Sequence, residues 1–148
     1  MENFFVSNEG RFVVDVFLAV VFGYMIGAER ESRGKDAGIS THIMVICGST
    51  LFTFMSSLVD PDSRSRIAAQ IVSGIGFLGA GLILKEDGTK IRNLTTAASI
   101  WFAGAIGMAV GFDFHFIAFV AVLVSIFVPR IPKHEESVRM YKKLLRKL

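Results

Sequence analysis

Five predominantly apolar stretches are the feature that most limits how this chain can fold. They cover residues 12–28, 43–59, 67–84, 96–112 and 114–128. Hydrophobic residues make up 52% of the whole chain, and most of them lie in these stretches. A helix needs about 17 to 25 apolar residues to cross the hydrocarbon core of a bilayer, so each stretch approaches or meets the length of one span. The sequence predicts an all-α, polytopic transmembrane helical bundle with five spans, or with four if the last stretch does not cross.

The positive charges lie unequally on the two sides that these spans define. With five spans, one side carries three of the 16 Lys and Arg residues, Arg11, Arg64 and Arg66, and the other side carries the remaining thirteen. Lys and Arg near span ends stay on the cytoplasmic side of the membrane. The distribution therefore predicts an N-out/C-in orientation. It also favours five spans, because four would separate the basic C-terminal tail from the two basic loops.

Composition divides the chain into a transmembrane domain, residues 1–128, and a basic amphipathic cytoplasmic tail, residues 129–148. Pro129 and Pro132 end the last apolar stretch because proline interrupts a helix. One helical face of the tail carries Val138, Tyr141, Leu145 and Leu148 among basic residues. This pattern is typical of a segment that lies on anionic lipid, and a helix that docks on another protein is the alternative.

Glycine is frequent inside the apolar stretches, where it lets transmembrane helices approach one another closely. The candidate packing residues are Gly23, Gly27, Gly74, Gly76, Gly79, Gly81, Gly104, Gly107 and Gly111. We expect the close crossings to lie within one chain or between copies in a homo-oligomer. Residues 74–79 also match GxGxxG, but they lie inside an apolar run without the strand and acidic residue that a dinucleotide site requires.

Acidic residues at the predicted outer ends of the spans suggest a cation site. Asp15 lies within the first stretch, where a carboxylate must pair with a partner or reach the headgroup region. Asp60, Asp62 and Asp113 lie on the same side and could form a site with it. Magnesium prefers one or two carboxylates together with retained waters, so Mg²⁺ is the candidate ligand or substrate. Arg64 and Arg66 lie on that side too and oppose such a site.

The third stretch opens with polar residues at helical spacing. Arg66, Gln70 and Ser73 share one helical face, and we expect that face to point into the bundle. Hydrogen bonds that hold neighbouring spans together are one interpretation, and a polar path or a ligand pocket is the other.

The predicted inner side carries a second polar group. Glu29 and Arg30 end the first stretch, Lys35, Thr41 and His42 precede the second, and residues 92–96 open the fourth. Asn93 or Thr95 could cap the start of that helix, and a helix start beside Arg92 could also hold an anion. No Ser/His/Asp, Cys/His or HExxH grouping is present, so we expect a non-enzymatic protein without a resident cofactor and without nucleic acid as a partner.

Four ordered sequence blocks then point to a known family. They read GAERE at 27–31, GKDAG with a following TH at 34–42, RIAAQIVSGIGFLGAGLIL at 66–84 and LTTAASIW at 94–101. In this order and spacing they closely resemble the membrane domain of the MgtC/SapB family of bacterial inner-membrane proteins.

The resemblance implies a multi-pass protein of the bacterial plasma membrane linked to magnesium limitation and, in virulence-associated members, to survival inside host cells. It leaves open whether such proteins transport magnesium or regulate other membrane proteins, such as a transporter or ATP synthase. The polar motif residues that it carries over are Glu29, Arg30, Lys35, Thr41, His42, Arg66, Gln70, Thr95 and Thr96.

The chain departs from the family pattern at two positions and in length. Ser40 stands where many members have arginine, and Asn93 stands where glycine is common. Larger members also append a soluble C-terminal domain, which we do not expect here. Two mechanisms remain, an interaction module that modulates another membrane protein and a carrier or channel lined by Arg66 and Gln70. The lack of buried acids beyond Asp15 favours the first.

Overall fold

The fold is an antiparallel helical bundle, seen in a computed structural model that describes residues 8–59, 61–63, 65–86 and 90–131. Its helices and strands are α1 (Asn8–Ser32), α2 (Ile39–Val59), α3 (Ser65–Leu82), β1 (Leu84–Glu86), β2 (Lys90–Arg92), α4 (Leu94–Gly111) and α5 (His115–Phe127). Short 3-10 turns, Pro61–Ser63 and Val128–Arg130, follow α2 and α5. Asp60 and residues 132–148, which include most of the predicted basic tail, lie outside the described residues.

The predicted helical class is confirmed with one addition. Strands β1 and β2 form an antiparallel hairpin between α3 and α4, with Leu84 opposite Arg92. In the described part of the chain, α1 to α4 are the 4 helices that are long and apolar enough to cross a membrane. Helix α5 is apolar but has only 13 residues. The fifth span and the N-out orientation therefore stay predictions.

Successive helices run in opposite directions and give the bundle two polar ends. The acidic end carries Asp15, Asp62 and Asp113, and the basic end carries Arg30 and Arg130. Between them lies an apolar core centred on α1, α2, α4 and α5, formed by Ala19, Phe22, Ile26, Ile46, Ala103, Ile106, Val110, Ala118 and Val122. Helix α3 packs against α4 and α2 at the edge of the bundle through Ala68, Ile71 and Ile75.

A tight turn places the end of α1 against the start of α2. Lys35 N–H donates to the Arg30 carbonyl at 3.1 Å and Gly34 N–H donates to the Glu31 carbonyl at 2.9 Å. With Gly34 at φ 62, this is the Schellman arrangement that ends a helix and favours glycine. Glu31 Oε1 then accepts the Ile39 N–H at 2.9 Å, which satisfies a free amide at the start of α2.

Asn93 has a backbone role at the start of α4. Its φ of 63 lies in the left-handed region, and its side chain makes no capping hydrogen bond. The expectation that Asn93 caps this helix through its side chain is therefore wrong. Asparagine and glycine are the residues that adopt this conformation most readily, which explains why asparagine is tolerated at this position.

Five of the candidate glycines lie at close helix crossings. Gly23 packs on the backbone of Ile43, where an added Cβ would lie 2.6 Å from its Cα, and Gly27 packs on Ile39. Further along the same face of α2, Gly107 packs on the Ile46 carbonyl and Gly111 lies against Thr50 and Thr53. The fifth, Gly104, packs on the side chain of Ile75 in α3. Helices α1 and α4 thus both approach one face of α2 through contacts that leave no space for a side chain.

The glycines of α3 are in a different situation. An added Cβ at Gly74, Gly76 or Gly81 would meet nothing within 4 Å, and at Gly79 it would make ordinary contact with Ala97. Within this chain, the glycine-rich segment of α3 is therefore mostly open.

This contrast predicts opposite effects of the same substitution. Gly107→Ala should lower the free energy of unfolding by about 1 to 3 kcal/mol, because the new methyl group overlaps the backbone of α2. Gly76→Ala is the matched control and should be neutral or stabilising by up to about 1 kcal/mol, since alanine favours helix and the space is open. Thermal unfolding of both variants in detergent measures the difference, and equal stability would contradict the packing described here.

Candidate functional site

Arg30 is the centre of a buried polar cluster at the basic end of the bundle. It lies in the last turns of α1 and is only 1% exposed. Its Nη2 donates a hydrogen bond of 2.8 Å to Thr96 Oγ1 in the first turn of α4. Thr96 is itself buried, and its carbonyl accepts a bond of 2.8 Å from Ser99 Oγ. A guanidinium is thereby held inside the bundle by a neutral hydroxyl.

Glu29 supplies the negative charge next to Arg30. The carboxylate is buried, and Oε1 lies 3.4 Å from Arg33 Nη1 and 3.3 Å from Arg130 Nε. Because Arg130 follows α5, this contact ties the end of α5 to the end of α1. Glu29 therefore balances charge from three arginines that surround the same end of the bundle.

His42 completes this basic-end cluster, which we define as Glu29, Arg30, His42 and Thr96. The ring is buried in the first turn of α2, and Nδ1 lies 2.9 Å from the Gly38 carbonyl. Since a carbonyl only accepts, Nδ1 carries the proton. Three buried atoms of the cluster, Glu29 Oε2, Arg30 Nε and His42 Nε2, have no hydrogen-bond partner among the described residues. The cluster thus retains unused hydrogen-bonding capacity, on which water or a polar ligand group could bind.

Other residues of the sequence motif surround this cluster without entering it. Lys35, Thr41 and Thr95 are exposed at the same end, as is Ser40. Thr95 and Thr96 are adjacent in the chain, and only the second points into the bundle.

The polar residues of α3 lie elsewhere. Arg66, Gln70 and Ser73 are all exposed, on the side of α3 opposite Ala68, Ile71 and Ile75. The expectation that they point into the bundle is wrong for this chain. Helix α3 lies at the edge of the bundle and is covered only along Ala68, Ile71, Ile75 and Gly79, so its polar residues lie on the uncovered side.

Of the candidate metal residues, Asp15 and Asp113 belong to one cluster, and Asp62 lies apart from it. Asp15 is fully buried, and its Oδ1 lies 2.7 Å from His115 Nε2 at the start of α5. Asp113 pairs with Arg11 at 2.9 Å. Asp62 is exposed in the turn after α2, and Asp60 lies outside the described residues.

Two residues of these sites were missing from the sequence-based set. His115 was missed because it lies in the otherwise apolar fifth stretch, and Arg130 was missed because it counted only as part of the tail. Their positions could have indicated these contacts, because His115 and Arg130 lie at opposite ends of the last apolar stretch. If that stretch packs beside the first one in the opposite membrane order, its two ends come next to Asp15 and Glu29.

These features define the class: a multi-span helical membrane protein with a buried polar cluster at each end of an apolar core. A family model described as the MgtC family matches residues 16–136. The chain belongs to this family, as the four sequence blocks predicted.

Curated relatives agree with this assignment. Protein MgtC of Salmonella typhimurium strain LT2 is 46% identical over 100 residues, which cover 68% of this chain and 43% of the relative. Protein MgtC of Brucella abortus strain 2308 is 50% identical over 94 residues, which cover 63% of this chain and 39% of the relative. The chain therefore matches less than half the length of either relative. No solved structure matches it.

The basic-end cluster predicts a difference between two neighbouring threonines. Thr96→Val keeps the shape of the side chain but removes the acceptor for Arg30, which should lower the free energy of unfolding by about 1 to 3 kcal/mol. Thr95→Val is the matched control, because Thr95 is exposed, and it should change stability by less than about 0.5 kcal/mol. Thermal unfolding in detergent tests both. If Thr96→Val were as stable as Thr95→Val, the bond to Arg30 would not contribute to stability.

Proposed function

We propose that this protein is a non-enzymatic, multi-pass protein of the bacterial inner membrane that modulates another membrane protein during adaptation to magnesium limitation. The observation that carries the proposal is the exposed polar side of α3. Membership of the MgtC family, and the resemblance that predicted it, supply the connection to magnesium.

The exposed side of α3 has the chemistry of a helix–helix interface. We define this α3 face as Gln70, Ser73, Phe77 and Gly81, which follow one another at helical spacing opposite the buried residues. Phe77 is 81% exposed, and Gly81 leaves open space one turn further on. An amide that faces hydrocarbon without a partner is unfavourable, whereas polar and small side chains stabilise contacts between transmembrane helices.

A groove beside this face gives room for a partner. It lies between α2 and α3, has a volume of about 540 Å³ and is almost wholly apolar. Its walls include Met44, Gly48 and Phe52 from α2, and Gln70 and Gly74 from α3. The occupant that fits an apolar groove between two helices, bordered by glycine and one amide, is a transmembrane helix of the modulated protein.

The carrier alternative receives less support from the arrangement of polar groups. Gln70 and Arg66 lie on the outside of the bundle. Between Asp15 and Glu29 the core of α1 is apolar, with Ala19, Phe22 and Ile26 buried at successive turns. Among the buried hydroxyls of α2, that of Thr50 serves helix packing by donating to the Gly107 carbonyl at 3.0 Å. Ion pathways through a bundle are normally lined by polar or ionisable groups, and among the described residues the buried ionisable groups lie at the two ends of the bundle.

Helix α5 and its 3-10 turn support the five-span proposal. His115 contacts Asp15 at one end and Arg130 contacts Glu29 at the other. At about 1.5 Å per residue, α1 rises roughly 21 Å between Asp15 and Glu29. The last apolar segment therefore runs beside α1 over the same depth. Together with the excess of basic residues at one end, this supports an N-out, C-in orientation with the tail in the cytoplasm.

The topology is tested by labelling a cysteine in the tail. In a Cys47→Ala background, Ser137→Cys should resist a membrane-impermeant thiol reagent in intact cells and react after the membrane is opened. A cysteine at Asp62, at the opposite end of the bundle, is the matched control and should react in intact cells. Labelling of Ser137→Cys in intact cells would contradict the five-span arrangement.

The modulator proposal is tested by variants of the α3 face. Phe77→Ala and Gln70→Leu should each fold and reach the membrane at parental abundance, because neither contacts the core. Both should fail to restore growth in low magnesium to a bacterial strain that lacks its own copy of this protein. Phe17→Ala is the matched control, since Phe17 is also strongly exposed, at 66%, but lies on α1.

Crosslinking from the α3 face tests whether it contacts another membrane protein. Gln70 replaced by a photocrosslinking residue should capture a membrane protein in cells grown in low magnesium, and the Phe77→Ala change should reduce that capture. Growth restored fully by both variants at equal abundance would contradict a role for this face. Magnesium flux into liposomes that contain only this protein would instead support the carrier.

A further inference from the structure

A cluster at the acidic end of the bundle combines one imidazole with two carboxylates. Asp15 in α1, Asp113 in the α4–α5 turn and His115 in α5 each offer a ligand atom, and these three atoms lie within 4.8 Å of one another. Three segments that are distant in sequence thus bring metal-binding atom types to one point. Small side-chain rotations would bring all three atoms onto a single ion.

Asp15 is incompletely satisfied in this cluster. The residue is fully buried, and His115 Nε2 contacts only its Oδ1, at 2.7 Å. The second oxygen, Oδ2, is also buried and has no hydrogen-bond partner among the described residues. A buried carboxylate oxygen without a donor or cation is costly, so this atom indicates a missing partner.

The charges of the cluster point to the same conclusion. Arg11 Nη2 pairs with Asp113 Oδ2 at 2.9 Å and compensates one carboxylate. With a neutral His115, the charge of Asp15 remains uncompensated inside the bundle. A divalent cation would compensate it and would use the lone pair of His115 Nε2.

We propose that Asp15, Asp113 and His115 form a binding site for a first-row transition-metal dication, with Zn²⁺ as the best fit and water completing the coordination. The site is separate from the α3 face and goes beyond the proposed function. Imidazole suits zinc, whereas magnesium prefers an all-oxygen shell, so the histidine distinguishes the two ions. The sequence suggested magnesium because it did not bring His115 into the group.

A protonated His115 is the competing account of the same contact. An imidazolium would compensate the charge of Asp15 and donate one hydrogen bond to Oδ1. It would leave Oδ2 without a partner, however, and it would not require Asp113 nearby. A metal uses all three residues, so the two accounts differ in what they predict for Asp113.

Replacing Arg11 should raise the metal affinity of the site, whereas replacing a ligand should lower it. The guanidinium occupies one oxygen of Asp113 and lies 5.6 Å from the centre of the Phe54 ring. A carboxylate can keep that contact with one oxygen and bind a metal with the other. The positive charge nevertheless opposes a cation, so Arg11→Gln should bind the metal more tightly than the parent.

The experiment uses the full chain without a polyhistidine tag, purified in detergent and stripped of metal with a chelator. Zn²⁺ binding is measured by competition with a chromophoric chelator, with and without a large excess of Mg²⁺. We expect one Zn²⁺ per chain that magnesium does not displace, and a rise in the thermal unfolding temperature on binding. X-ray absorption should show nitrogen and oxygen ligands without sulfur, which excludes Cys47.

The variants identify the site. Asp15→Asn, His115→Gln and Asp113→Asn should each lower the affinity at least about tenfold. Asp113→Asn keeps the backbone of residue 113, whose φ is 65, in a conformation that asparagine tolerates. Asp62→Asn is the matched control and should bind like the parent. Absence of Zn²⁺ binding by the parent, or parental affinity in Asp15→Asn and Asp113→Asn, would overturn the proposal.

Discussion

The close contact of α2 with both α1 and α4 is the constraint on which the rest of the structure depends. Gly23 and Gly27 of α1 face the start of α2, and Gly107 and Gly111 of α4 face the same side of α2 further along its length. In a bilayer, lipid tails are as apolar as the helices, so association depends on close packing and on hydrogen bonds between helices. These glycines allow backbone contact there and bring α1 and α4 together against one face of α2.

The position of α2 determines where the polar groups lie. At one end, the last turn of α1 meets the start of α4, which brings Arg30 to Thr96. At the other end, α5 returns beside α1 and brings His115 to Asp15. Helix α3 is left at the edge, covered on one side only, with Gln70 and Phe77 outside. The same packing therefore produces two buried clusters and one exposed polar face.

Sequence reasoning predicted the helical membrane class and the family, and it placed the polar residues of the basic end on one side without predicting that they are buried. Glu29, Arg30, His42 and Thr96 were named together because the motif blocks place them at span ends on one side of the membrane. The direction of the α3 face was wrong, because helical spacing shows which residues share a face and not which neighbour covers it. Asn93 was misjudged because capping and left-handed backbone positions both favour asparagine.

What the sequence by itself determined is the set of properties that depend on length and composition. Helices of span length follow from the apolar stretches, because a bilayer accepts only segments whose backbone groups are satisfied internally. The tertiary structure decided which of several equivalent glycines are in contact and which carboxylate has a partner. Gly76 and Gly107 are alike in sequence, yet only Gly107 touches another helix. Likewise, Asp15 and Asp62 are both acids near span ends, and only Asp15 is buried beside a histidine. Such differences arise because contact depends on the rotation and neighbours of each helix, which local sequence does not specify.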